Sequence, residues 1–268
     1  MTKKTKLLLI GGIAGFILLL GAVLLTLWFT LWMPPSKEDF TDAKKTAEKI
    51  VSYEGLKQVN AFITATNTQS KAGKTGQALI DSVKTEREKA LEAVDNRSKL
   101  ADELSKSKVL RDADVKKLFD VYFPIEDRYG KYITNYVNEY PVYITSSVSC
   151  AKPFNLGAAS KTIKQLAELH GIYGKTCLTD LAKLEKSPIP AYVKYAKEFK
   201  EVINDRQKAL DGVASGSMTD AAAAKRIDAS NEKYLTIWPT DEMKKYRKSQ
   251  TFNGELKKLI EVLGQKAQ

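Results

Sequence analysis

LLLIGGIAGFILLLGAVLLTLWFTLWM, residues 7 to 33, carries no charged side chain; Lys3, Lys4 and Lys6 precede it and Pro34-Pro35 ends it. As a helix rising about 1.5 Å per residue it would extend roughly 40 Å, more than the roughly 30 Å of hydrocarbon in a bilayer. The run is therefore expected to be a tilted transmembrane helix. Trp28 and Trp32 stand at its far end, where indoles favour the headgroup layer, and the early lysines mark residues 1–6 as a cytoplasmic tail. The run is too long for a cleaved signal peptide and has no small-x-small pair in its last turns, so an uncleaved signal anchor is expected. Lys37, Lys44, Lys45 and Lys49 follow closely on the other side, but long domains translocate largely regardless of charge. Gly11 and Gly15 form a GxxxG pair through which two such helices could self-associate.

Everything after the anchor is polar, and residues 36–268 read as one extracytoplasmic helical-bundle domain. The predicted fold is thus all-α: a single transmembrane helix followed by a multi-helix bundle in the plasma membrane of its host. Ser36 with Asp39 reads as a capping box. From there Phe40, Ala43, Ala47, Ile50, Tyr53, Leu56, Val59 and Ile63 recur every three or four residues, predicting one helix to about Thr68. After a turn around Gly73 and Gly76, a second apolar series runs from Ile80 to Leu104, interrupted by Arg87 and Arg97. Pro141 disfavours helix at the residue before it. Val142 to Pro153, rich in β-branched residues and serines, is accordingly expected to be an extended connector or a short strand. Leu156 to Leu184 then reads as a helix, with Ser187-Pro188-Ile189-Pro190 opening the next one. Ser217 with Asp220 is a second expected capping box, and a last helix is expected from Thr240.

Cys150 and Cys177 are the whole thiol inventory, and they are expected to form one disulfide in an oxidising compartment. A loop of that size gives roughly 3.5 kcal/mol in the chain-entropy model. With two cysteines and one histidine, His170, neither a metal site nor a cofactor is expected. His170 falls on the apolar seam of its helix, flanked by Gly171 and Gly174, and reads as a core residue.

The formal net charge of +11 is mixed with acids and forms no like-charge block, which points to a solvated lysine-rich surface and argues against nucleic acid as partner. The densest chemistry outside the anchor is aromatic. Tyr129, Tyr132, Tyr136 and Tyr140 share a helical face, with Lys131 between the first two. Tyr129, Lys131, Tyr132 and Tyr136 are the candidate partner-binding residues, because tyrosines combine flat apolar faces with a polar tip. The competing expectation places these rings in the core.

No Gly-rich phosphate loop, nucleophile elbow or metal-ligand cluster is present. The sequence therefore points to a non-enzymatic, membrane-anchored domain that binds a ligand, a protein or an envelope polymer, as an envelope, adhesion or accessory subunit would. Two alternatives stand beside it: an envelope glycan hydrolase using a carboxylate pair drawn from distant helices, and capture of an anionic polymer or nucleic acid by a basic surface.

Overall fold

The structure, a computed structural model, describes residues 33–52, 55–157, 161–239 and 253–268, together with Leu20 and Val23. Every regular element among them is helical. In chain order these are α1 (Lys37–Ser52), α2 (Gly55–Lys71), α3 (Gly76–Ser82), α4 (Lys84–Ser105), a 3-10 turn (Lys108–Arg111), α5 (Ala113–Ala151), a second 3-10 turn (Lys152–Phe154), α6 (Ile163–Leu184), α7 (Pro190–Ala214), α8 (Asp220–Thr236) and α9 (Asn253–Lys266). Among the described residues no helix is long and apolar enough to cross a membrane. Most of the apolar run, with Gly11, Gly15, Trp28 and Trp32, lies outside those residues, as does the stretch Thr240–Phe252 of the expected last helix.

The 39-residue α5 is the axis of the molecule. Asp112 starts it, its carboxylate accepting from the backbone N–H groups of Asp114 and Val115 at 3.1 and 3.2 Å. Val115, Phe119, Tyr122, Glu126, Tyr129, Ile133, Val137 and Tyr140 then bury one continuous face. Here the expected connector at Val142–Pro153 is corrected, because the helix passes through Pro124 and Pro141 and continues to Ala151. Each proline removes one backbone donor. Pro124 stands on the exposed side, where water reaches the backbone. Beyond Pro141 the helix is held by packing, and its serines return their hydroxyl protons to carbonyls within the helix. Ser146 Oγ donates to Val142 O and Ser147 Oγ to Tyr143 O, both at 2.9 Å. Tertiary contacts have overridden a local β preference.

Two buried clusters use different halves of α5. The first takes α1, α2, α4 and α9 against its N-terminal half, with Phe40, Ile50, Phe62, Leu104, Tyr122, Tyr132, Leu256, Leu259 and Leu263 among the members. The second takes α6, α7 and the end of α8 against its C-terminal half, around Leu181, Leu184, Tyr192, Tyr195 and Phe199. Tyr136 and Tyr143 pack against both. The expected disulfide is present: Cys150 and Cys177, with Cα atoms 4.6 Å apart, fasten α6 to the end of α5.

Other sequence-level expectations are met or revised by local chemistry. The Ser36–Asp39 box forms reciprocally, the Asp39 carboxylate accepting from Ser36 N at 2.8 Å and Ser36 Oγ accepting from Asp39 N at 3.1 Å. At α8 the cap is Thr219, whose hydroxyl accepts from Ala222 N, while Ser217 bonds back to Gly212 O. The expected first helix is described as α1 and α2 on either side of Tyr53 and Glu54, which lie outside the described residues. The expected second helix divides at Val83, whose φ of −116° and ψ of 13° end α3 and open α4. α6 begins at Ile163 instead of near Leu156, with a complete capping box between Thr162 and Gln165.

Arg97, which broke the apolar seam of α4, is explained by α5. Its guanidinium meets Glu126 side-on, Nε to Oε1 at 2.7 Å and Nη2 to Oε2 at 3.1 Å, and both residues are buried. Tyr122 donates to the same carboxylate at 3.1 Å, and the Tyr129 ring lies 5.1 Å under the guanidinium carbon. Removing one member of such a pair strands a buried charge, at about 3–5 kcal/mol, whereas apolar replacement of both is often close to neutral. Glu126→Ala is therefore expected to lower the melting temperature by on the order of 10 °C, and Arg97→Met/Glu126→Leu to restore most of it. Equal losses in the single and double variants would refute this.

Candidate functional site

The expected recognition surface on α5 is not presented to solvent. Tyr129 is 8 % exposed and Tyr132 2 %. Tyr136 is half-buried, its ring 6.0 Å from Tyr132 and 5.2 Å from Tyr140. Tyr140 donates to Asn67 Oδ1 at 2.9 Å. Lys131 alone is exposed, and it pairs with Asp127 one turn away at 2.7 Å. A three-four spacing places rings on one face but does not say whether that face looks inward or outward. Here it fills the first cluster. The stripe continues into the second cluster, where Tyr143 meets Tyr192 and Tyr195, Tyr195 meets Phe199 and Trp238, and Phe154 stacks on Tyr234. Burial raises the phenol pKa values of Tyr122, Tyr140, Tyr143, Tyr192 and Tyr195. These rings remain protonated at neutral pH and offer no phenolate for catalysis.

His170 is a buried structural residue. Its Nδ1 lies 2.6 Å from Gln207 Oε1. The Gln207 amide nitrogen spends its protons on Ala167 O at 3.1 Å and Asp211 Oδ1 at 2.8 Å, so its oxygen must accept and His170 Nδ1 must donate. That fixes the neutral tautomer with the lone pair on Nε2, which is buried without a hydrogen-bond partner. On α7, Arg206 lies over the Phe154 ring at 4.9 Å and donates to Asn231 at 2.7 Å. Burial pushes the His170 pKa down; Gln207 and Asp211 oppose the shift and Arg206 adds to it.

Two open depressions lie on the second cluster. A groove of about 540 Å³ runs between α6 and α7, floored by Gly171 and Gly174, with Leu178 and Ile203 as apolar walls and Lys175 and Lys200 at its rims. Gly174 lets the helices close, since an added Cβ would stand 3.3 Å from Ile203 Cγ2. Ile172, next to Gly171 in the chain, is 62 % exposed. A smaller cleft of about 320 Å³ between α7 and α8 is lined by Asp205, Arg226, Ser230 and Lys233. Among the described residues, each of these depressions is lined by at most one carboxylate, and no group of three or more His, Cys, Asp or Glu side chains could hold a metal ion. The groove escaped the sequence reading, although Gly171 and Gly174 beside His170 were its visible trace.

Comparisons with family models, curated proteins and solved structures find no match for this chain.

His170 is the chain's one histidine, which makes its linkage to folding measurable. A depressed folded-state pKa means that the unfolded chain binds the proton more tightly. The stabilisation is complete above the ordinary value of 6.5 and declines as pH falls below it. Between pH 7 and 5.5 the chain is expected to lose stability, by at most on the order of 1 kcal/mol, and His170→Gln to flatten that slope. Denaturant titrations at both pH values check this; an unchanged slope in the variant would assign the loss elsewhere.

Proposed function

We propose that this chain is a single-pass, membrane-anchored extracytoplasmic helical protein that displays a partner-binding groove away from the bilayer, without catalysis of its own. The observation that carries the reading is the position of the α6–α7 groove relative to Met33. Met33, the last residue of the apolar run, is bonded to Arg111 just before α5. The groove lies beside Cys177, which is tied to Cys150 near the other end of the same helix. Along an axis rising about 1.5 Å per residue, the two places are roughly 55 Å apart.

The groove's chemistry supports a protein or peptide partner. It is open, its walls are apolar, its rims are cationic, and it runs between two helices as a surface for an amphipathic segment does. The disulfide supports an oxidising compartment, and the lysines before the apolar run support a cytoplasmic N-terminus. The locked His170 and the absence of paired carboxylates among the described groove linings favour binding over hydrolysis.

The anchored protein is expected to stay with membranes through salt and alkali washes and to leave them in detergent. A photoreactive side chain at Thr179 in the groove is expected to give a discrete crosslinked adduct in whole cells, and the same group at Lys131 on α5 to give none. Release by alkali would remove the anchor from the proposal, and equal adducts at both positions would remove the groove.

A further inference from the structure

The hydrogen bond between the anchor's exit and the bundle has a consequence for the bilayer itself. The Arg111 guanidinium donates to the Met33 carbonyl at 2.9 Å, and only Pro34, Pro35 and Ser36 separate that carbonyl from α1. Three residues span at most about 10 Å, and two of these are prolines with a fixed φ. We propose that the segment Lys106–Lys117, at the foot of α5, rests on the lipid headgroup layer and binds anionic phospholipid phosphates. The proposal rests on the anchored reading above, because it takes the bilayer to begin where the apolar run ends.

The charge at this foot fits that occupant. Lys106, Lys108, Arg111 and Lys117 are exposed there. The acids interspersed among them are engaged within the fold. Asp112 and Asp114 both hold Lys266, at 2.6 and 3.1 Å. Asp39 accepts from Ser36, which keeps its carboxyl below the ordinary range, and Lys108 stands 4.0 Å from it. Lys116 is paired with Asp120 at 2.7 Å. Glu38 on α1, and Asp102 and Glu103 just before Lys106, are exposed and oppose these cations. The tether is no longer than the Debye length at physiological salt, about 8 Å, by more than a few ångströms, so these cations work inside the range where a charged surface is felt. A foot held this close gains from each phosphate it meets without losing further translational freedom, since the anchor has already confined it.

The test uses the full chain reconstituted into vesicles of phosphatidylcholine with or without phosphatidylglycerol, a fraction of the lipid carrying a nitroxide on its headgroup. A fluorophore is placed at the foot through Ala113→Cys or at the far cluster through Ala221→Cys; both positions are exposed. Quenching is expected at 113 and not at 221, roughly twofold stronger with phosphatidylglycerol and reduced by high salt. Lys106→Glu/Lys108→Glu/Lys117→Glu is expected to abolish the phosphatidylglycerol-dependent part, while the chain still floats with the vesicles and melts as before in detergent. Quenching at 113 that ignores lipid charge would overturn anionic recognition and leave the tether alone. An unquenched label at 113 on chains that float would overturn the docked foot while sparing the anchor, and chains that do not float would overturn the anchor with it.

Discussion

Tyr143 lies face to face with Tyr192, ring centroids 4.7 Å apart and planes within 6°, at the point where the two buried clusters meet on α5. Without such a contact a helix of this length would be a bare rod between two bundles, and its middle would be free to bend at Pro141. Instead the rings of Tyr132, Tyr136, Tyr140 and Tyr143 continue into Tyr195, Phe199 and Trp238, so apolar packing is unbroken from one cluster to the other. Offset and edge-on aromatic pairs contribute about 0.5–1.5 kcal/mol each beyond the area they bury. Their larger role here is geometric. They keep the two ends of the molecule at a fixed separation.

The polar groups inside this frame sit where two helices must be registered. Arg97 and Glu126 register α4 on α5, and their side-on geometry leaves little freedom in how the helices slide. Gln207 does the same for α6 and α7, bonding His170, the Ala167 carbonyl and Asp211. Thr145 Oγ1 accepts from Gly76 N at 2.9 Å, fixing the start of α3 against α5. Gln207 also lines the α6–α7 groove, so the group that registers these two helices is at the same time part of the depression between them.

Much of this was legible in the residues. The apolar periodicities placed most helices, the two cysteines paired as their number and position suggested, and His170 took the core place its seam implied. Three features were not legible there, for separate physical reasons. Val142–Pro153 was misread because β-branched propensity and a proline are local, while the contacts that keep α5 helical come from residues some fifty positions away, such as Tyr192 and Tyr195. The tyrosine face was left between surface and core because periodicity has no sign; only the partner helices decide which face is covered. The α6–α7 groove was missed because a depression is a relation between two elements, and neither sequence alone carries it. Arg97 is the instructive intermediate. A charge on an apolar seam announces a buried partner, but nothing in α4 names Glu126.

The placement of α9 has a consequence for how the chain acquires its shape. Leu256, Leu259 and Leu263 complete the cluster that α1 opens at Phe40, and Lys266 closes on Asp112 and Asp114. The second cluster, by contrast, draws its members from Cys150 to Ile237, a single local stretch with its own crosslink. Local contacts form before those that require closure of a loop spanning most of the chain. The part emerging first from the ribosome is thus the part finished last, and α1 must wait with its apolar face uncovered until the far end of the polypeptide arrives. That interval is when a chaperone would find something to hold.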